Sequence, residues 1–151
     1  MNNIHKLQKP LCSKVNKHLR DNYCKKDLYG QLQEVPAVFS HTTSFEFAEE
    51  VSEDKIQDGL KAWVEDLKQW ALQNKYFIGH IKVFAESGKN LSLWISTTGK
   101  TTNIKALEDE KNSNIKEITI NITAIVFRTD EQTLKSVSLK SLYRNLPQRK
   151  E

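Results

Sequence analysis

The segment 118–128 constrains the chain more than any other. Ile118, Ile120, Ile122, Ala124 and Val126 alternate there with Thr119, Asn121, Thr123, Ile125 and Phe127. Successive side chains of a strand point to opposite faces, so this period of two gives one wholly apolar face. Two other segments repeat the pattern. In 76–86, Phe77, Gly79, Ile81, Val83 and Ala85 share one face, opposed by Tyr76, Ile78, His80, Lys82, Phe84 and Glu86. In 91–98, Leu91, Leu93 and Ile95 oppose Ser92, Trp94 and Ser96. Ser87-Gly88-Lys89-Asn90 between them is a hairpin-sized turn. Three strands with one apolar face each need a covering layer.

Two amphipathic helices supply it. Ser52 is a suitable N-cap, and Glu53 and Asp54 place negative charge at the positive end of the helix dipole. Val51 and Ile56 stand at the positions of a hydrophobic staple. Ile56, Leu60, Trp63, Leu67, Trp70 and Ala71 then form one stripe, with Val64 beside it and Asn74 as the end. A second helix starts at Thr129 or Asp130 and runs to about residue 145, with Leu134, Val137 or Ser138, Leu142 and Leu146 on its inner side. Before the first helix, Phe39, His41, Thr43, Phe45 and Phe47 alternate through 38–49 and predict another strand. The polar stretch 99–117 reads as loop, with one or two helical turns over 102–110.

The order is β-α-β-β-β-α. It predicts an α+β fold: a two-layer, mostly antiparallel sheet of about four strands, with helices on one face and a basic N-terminal segment. The expected organisation is a basic segment 1–35, partly helical or loose, a single domain over 36–146 and a frayed tail over 147–151. Leu7, Leu11, Val15 and Leu19 recur every fourth residue and allow a short helix over 11–26.

Charge follows the same divisions. The chain of 151 residues has 23 Lys and Arg against 19 Asp and Glu, a net of +4. The net is +4 over 1–35, −4 over 36–75 and +4 over 76–151. That layout is dipolar rather than uniformly basic. Two cysteines make no disulfide framework, and no apolar leader or membrane-length apolar run is present. A reducing cytoplasm and no membrane association are therefore expected.

Motifs exclude several chemistries. Ser96-Thr97-Thr98-Gly99-Lys100-Thr101-Thr102 follows a strand like a phosphate-binding loop, but Trp94 stands where its first glycine is required. Cys12, His18 and Cys24 are six apart, whereas zinc ligands come in close pairs, so no metal is expected. No HExxH, GxSxG or GxGxxG occurs, and no cofactor is expected. The helix, three strands, helix order of 52–146 is that of double-stranded-RNA-binding modules. Those modules need lysines at the start of the last helix, where this chain has Asp130 and Glu131. The order alone therefore assigns no family.

What remains is the second face of the sheet. It mixes polar groups with aromatics: His80, Lys82, Phe84, Trp94, Ser96, Asn121, Ile125 and Phe127. Helix packing does not need them. The leading expectation is a non-catalytic protein that binds itself or another protein through this face. The alternative is nucleic-acid binding, with bases stacked on the aromatics and phosphates met by Lys14, Lys17, Arg20, Lys25, Lys26 and Lys100. A third expectation is a small-ligand pocket or enzyme site near His80.

Overall fold

The computed structural model describes residues 35–88, 91–108 and 114–150. Its elements are β1 (Ala37–Ser52), α1 (Glu53–Gln73), β2 (Phe77–Ser87), β3 (Leu91–Thr97), β4 (Thr102–Glu108), β5 (Asn114–Phe127) and α2 (Glu131–Asn145). The strands form one antiparallel sheet in the order β1-β5-β2-β3-β4. The fold is α+β with two helices. The expectations for 11–26 and for the lysines and arginine of 1–34 lie outside the described residues.

The sheet has five strands rather than about four. Residues 102–108 are strand β4, not helical turns. Their sequence, TNIKALE, contains good helix formers, which is why it reads as helix. Pairing along β3 overrides that weak preference, with Ile104 opposite Ile95 and Ala106 opposite Leu93. The topology also differs from a simple meander. After β2, β3 and β4 wind outward, β5 returns to lie between β1 and β2. β1 and β2 both run antiparallel to β5, so α1 carries the chain over the place that β5 fills. The strand with the longest apolar alternation thereby takes an interior position.

One face of this sheet holds the core. Ile81, Ala85, Leu93, Ile120 and Ala124 are fully buried there with Ile56, Leu60 and Trp63 of α1 and Leu134 and Leu142 of α2. The two helices are joined in three ways. The Trp63 indole donates from Nε1 to the Ser138 carbonyl at 2.8 Å. Gly59 lets the helices approach, because a Cβ there would lie 2.5 Å from the Asn145 carbonyl oxygen. Asp66 accepts three hydrogen bonds on one oxygen, from Ser141 Oγ at 2.7 Å, Arg144 Nη2 at 2.6 Å and Asn145 Nδ2 at 2.6 Å. Burial pushes the Asp66 pKa up, but these donors and the Arg144 charge outweigh it and hold the carboxyl below its usual range.

Local details correct the sequence reading in three places. Ser52 is the N-cap of α1, but its hydroxyl makes no capping bond. Of the two alternatives on α2, Ser138 takes the inner position, beneath the Trp63 bond. Asp130 caps α2 as expected, accepting from Thr133 N at 2.8 Å and Thr133 Oγ1 at 2.7 Å. The C-terminal residues 148–150 pair with β1 instead of fraying. Ala48 N donates to Gln148 O at 3.1 Å, Lys150 N donates to Glu46 O at 2.8 Å, and Arg149 bridges Phe47. The tail crosses where the β1 register shifts, between Glu46 and Val51. That irregularity leaves backbone groups for it to satisfy.

The third correction concerns Gly79. The β2–β5 register shifts between Ile78 and His80. Phe77 therefore pairs with Phe127 on the face away from the helices and is 57% exposed. Ile78, read as outward, pairs with Val126 and packs on the core. A single bulge exchanges the faces of both residues.

Candidate functional site: the helix-free sheet face

The residues that face away from the helices form rows across the strands, fixed by the pairing register. The central row is Thr42, Asn121, Phe84, Trp94 and Lys105, from β1 to β4 in sheet order. On one side lies the row Ser44, Thr119, Glu86, Ser92, Leu107. On the other lies Ser40, Thr123, Lys82, Ser96, Asn103. Beyond the first come Glu46 and Glu117, directly opposed. Beyond the second come Val38, Ile125 and His80, then Phe127 and Phe77.

Strand pairing therefore brings His80, Lys82, Phe84, Trp94, Ser96, Asn121, Ile125 and Phe127 onto one surface. Lys100 stands apart from them. It is exposed in the β3–β4 turn, and its carbonyl accepts from Lys68 Nζ at 3.3 Å. Lys14, Lys17, Arg20, Lys25 and Lys26 lie outside the described residues, as do Cys12, His18 and Cys24. Among the described residues no group of three or more His, Cys, Asp or Glu is placed to hold a metal ion. No described helix is long and apolar enough to cross a membrane.

Two halves of the face differ in chemistry. The β1–β5 half is a ladder of hydroxyls and an amide. Ser40 and Thr123 lie 3.4 Å apart, Thr42 Oγ1 donates to Asn121 Oδ1 at 2.7 Å, and Ser44 and Thr119 lie 3.0 Å apart. The β2–β3 half holds an aromatic pair. The Phe84 and Trp94 rings have centroids 4.9 Å apart and planes inclined at 34°. Such a pair contributes about 0.5–1.5 kcal/mol beyond its burial and holds both rings in place. Phe84 is half-buried, yet Trp94 remains 39% exposed. At the far end, the Arg128 guanidinium lies 4.6 Å from the Phe77 ring centroid and covers part of that apolar corner.

His80 has a buried Nε2 without a hydrogen-bond partner. Burial pushes its pKa down, and the Lys82 charge pushes it further the same way. The imidazole is therefore neutral at pH 7. Its charged neighbour is a cation, whereas a catalytic imidazole is normally oriented by a carboxylate.

Several residues of this face were missing from the sequence reading. Asn103, Lys105 and Leu107 belong to β4, and the Asn-Ile-Lys-Ala-Leu alternation is the signal that would have placed them. Phe77 was hidden by the bulge at Gly79. Ser40, Thr42 and Ser44 are visible as the polar alternates of β1, but only the pairing with β5 places them beside Thr123, Asn121 and Thr119.

No family model matches this chain, and no curated protein does. Two solved structures resemble it weakly. One is the Zn(II)-bound YjiA GTPase from E. coli, at 8% identity and a TM-score of 0.39. The other is a Zn(II)-bound triple mutant of YjiA GTPase, at 11% identity and 0.38. Each alignment covers 68% of this chain and 29% of the other, so the chain matches less than a third of those proteins. A likeness of that size assigns neither nucleotide chemistry nor metal binding here.

Proposed function

We propose that this is a non-catalytic binding module that contacts a protein surface, its own or another's, through the helix-free sheet face. One observation carries this reading. Both helices serve a single face, while the opposite face presents Trp94 at its centre, 39% exposed and braced by Phe84. Removing about 100 Å² of apolar ring surface from water contributes about 2.5 kcal/mol. A chain that needs the aromatic pair only for its own fold gains nothing from leaving it uncovered.

Nucleic acid is the second candidate, because Lys105 faces Trp94 across the strands and Lys82 precedes Phe84 on the same face. Carboxylates weigh against it. Glu86, Glu117 and Glu46 share the face with those lysines, and of the three only Glu46 is in an ion pair among the described residues, with Lys150 Nζ at 2.8 Å. A polyphosphate laid along the strands meets both signs. A protein surface with charges of both signs suits such a face better.

The test is a photo-crosslinking residue at position 94, compared with one at Lys61 on the exposed side of α1. The expected result is a polypeptide adduct from position 94 and none from position 61. Adducts from position 61 alone, or to nucleic acid from position 94, overturn the reading.

A further inference from the structure

The three inner rows of the helix-free face are nearly symmetric about the central one, although one row further out Glu46 and Glu117 on one side correspond to Val38 and Ile125 on the other. Stepping two residues from the central row in either direction gives Ser44 or Ser40 on β1, Thr119 or Thr123 on β5, and Ser92 or Ser96 on β3. On β2 the same step gives Glu86 or Lys82, with Phe84 between them. β2 is the third of the five strands, so this charge pair straddles the middle of the sheet. On β4 the step gives Leu107 or Asn103, the one unlike pair without complementary charge.

A two-fold axis lying in the face along the central row turns each strand end for end and lays it over its own copy. Residues on one side of the row then meet residues on the other side in the second chain. Ser44 meets Ser40, Thr119 meets Thr123, and Ser92 meets Ser96. Phe84 and Trp94 meet their counterparts on the axis. Glu86 meets Lys82 twice, once in each direction. An axis parallel to the strands gives the opposite result, placing Glu86 over Glu86 and Lys82 over Lys82. Only the first overlay is complementary.

We propose that the occupant of this face is a second copy of the chain, packed sheet on sheet about a two-fold axis through Phe84. This rests on the reading of the face as a protein-binding surface and names its partner. The surface is isologous, as two-fold interfaces are, because the same patch serves both chains. The aromatic row forms the apolar centre, and the two Glu86–Lys82 contacts fix the direction of the strands. Lys105 meets its counterpart only at the rim, where both long side chains extend into water.

The area suits a reversible dimer. Five strands about 4.8 Å apart and three rows about 6.7 Å apart cover roughly 500 Å² on each chain. The total of about 1,000 Å² is at the low end for a specific interface. The dimer is accordingly expected to dissociate on dilution.

The experiment is a charge swap, read by sedimentation velocity over a dilution series. The parent is expected to dimerise. Lys82→Glu and Glu86→Lys each place like charges in contact and weaken the dimer about tenfold or more. The double variant Lys82→Glu/Glu86→Lys restores the pairing and the dimer. Mixing the two single variants in equal amounts also restores it, because each supplies the charge that the other lacks. Circular dichroism of the single variants checks that they fold. A parent that stays monomeric overturns the second-copy proposal and leaves the face to a different protein. A monomer that binds a labelled oligo-uridylate through Trp94 assigns the face to nucleic acid and overturns both readings. A dimer that ignores all of these substitutions forms through another surface and overturns the second-copy proposal alone.

Discussion

The two faces of one sheet differ in what surrounds them and in how they tolerate change. On the covered face, Ile81, Val83, Leu93, Ile120 and Ile122 are at most 2% exposed, sealed by α1 and α2. On the helix-free face, the inner rows pair side chains across the strands: hydroxyl with hydroxyl, Thr42 with Asn121, Phe84 with Trp94. The first face uses shape and volume, and its residues are nearly all aliphatic. The second uses types arranged in register, with Phe84 and Trp94 in its central row and Val38, Phe77, Leu107, Ile125 and Phe127 outside that row. A fold needs the first arrangement to exclude water. The second leaves Trp94 partly exposed among polar neighbours, and the proposed contact role would use what the fold does not enclose.

Substitutions at the helix–sheet interface should separate the two faces most strongly. Trp63→Ala removes a fully buried ring and the 2.8 Å bond to Ser138 that ties α1 to α2. The expected loss is about 3–5 kcal/mol of stability, measured by urea unfolding. Asp66→Ala removes the acceptor shared by Ser141, Arg144 and Asn145. It is expected to cost about 1–3 kcal/mol, because Ser141 and Asn145 lose their shared anionic acceptor and keep only their bonds to each other.

A smaller effect comes from His80, and its sign is fixed. Its pKa is lowered on folding by burial and by Lys82. The unfolded chain therefore takes up the proton first as pH falls. The contribution of neutral His80 is complete above its ordinary value of 6.5 and is lost as pH drops below it. Thermal stability measured from pH 7.5 to pH 5 should decline in the parent. The decline should be shallower in His80→Gln, which carries no titrating ring.

The covered face was readable because burial leaves a periodic trace. Ile118 to Val126 and Ile56 to Leu67 repeat at two and at three to four residues for a physical reason: each must reach the same core. The strand order left no such trace. Nothing in the alternation of β5 says that it returns between β1 and β2, since either neighbour accepts the same apolar side chains. β4 was missed because an edge strand buries little, so its residues need not be apolar. The bulge at Gly79 was missed because one inserted residue breaks the period over which faces are assigned, and Phe77 changed sides as a result. That Phe84, Trp94, Lys82 and Asn121 share one face was legible from their alternation. Its near-symmetry was not, because that depends on which strands pair and in what register.

The account stands or falls on Trp94. Trp94→Glu should be compared with the parent in two ways: sedimentation velocity across micromolar concentrations, and urea unfolding at a dilution where both are monomeric. The variant should stay monomeric where the parent associates, while its stability falls by about 1–3 kcal/mol, the ring pair together with the indole burial lost and less than for Trp63→Ala. A variant that associates like the parent, or one that unfolds as readily as Trp63→Ala, would contradict the account.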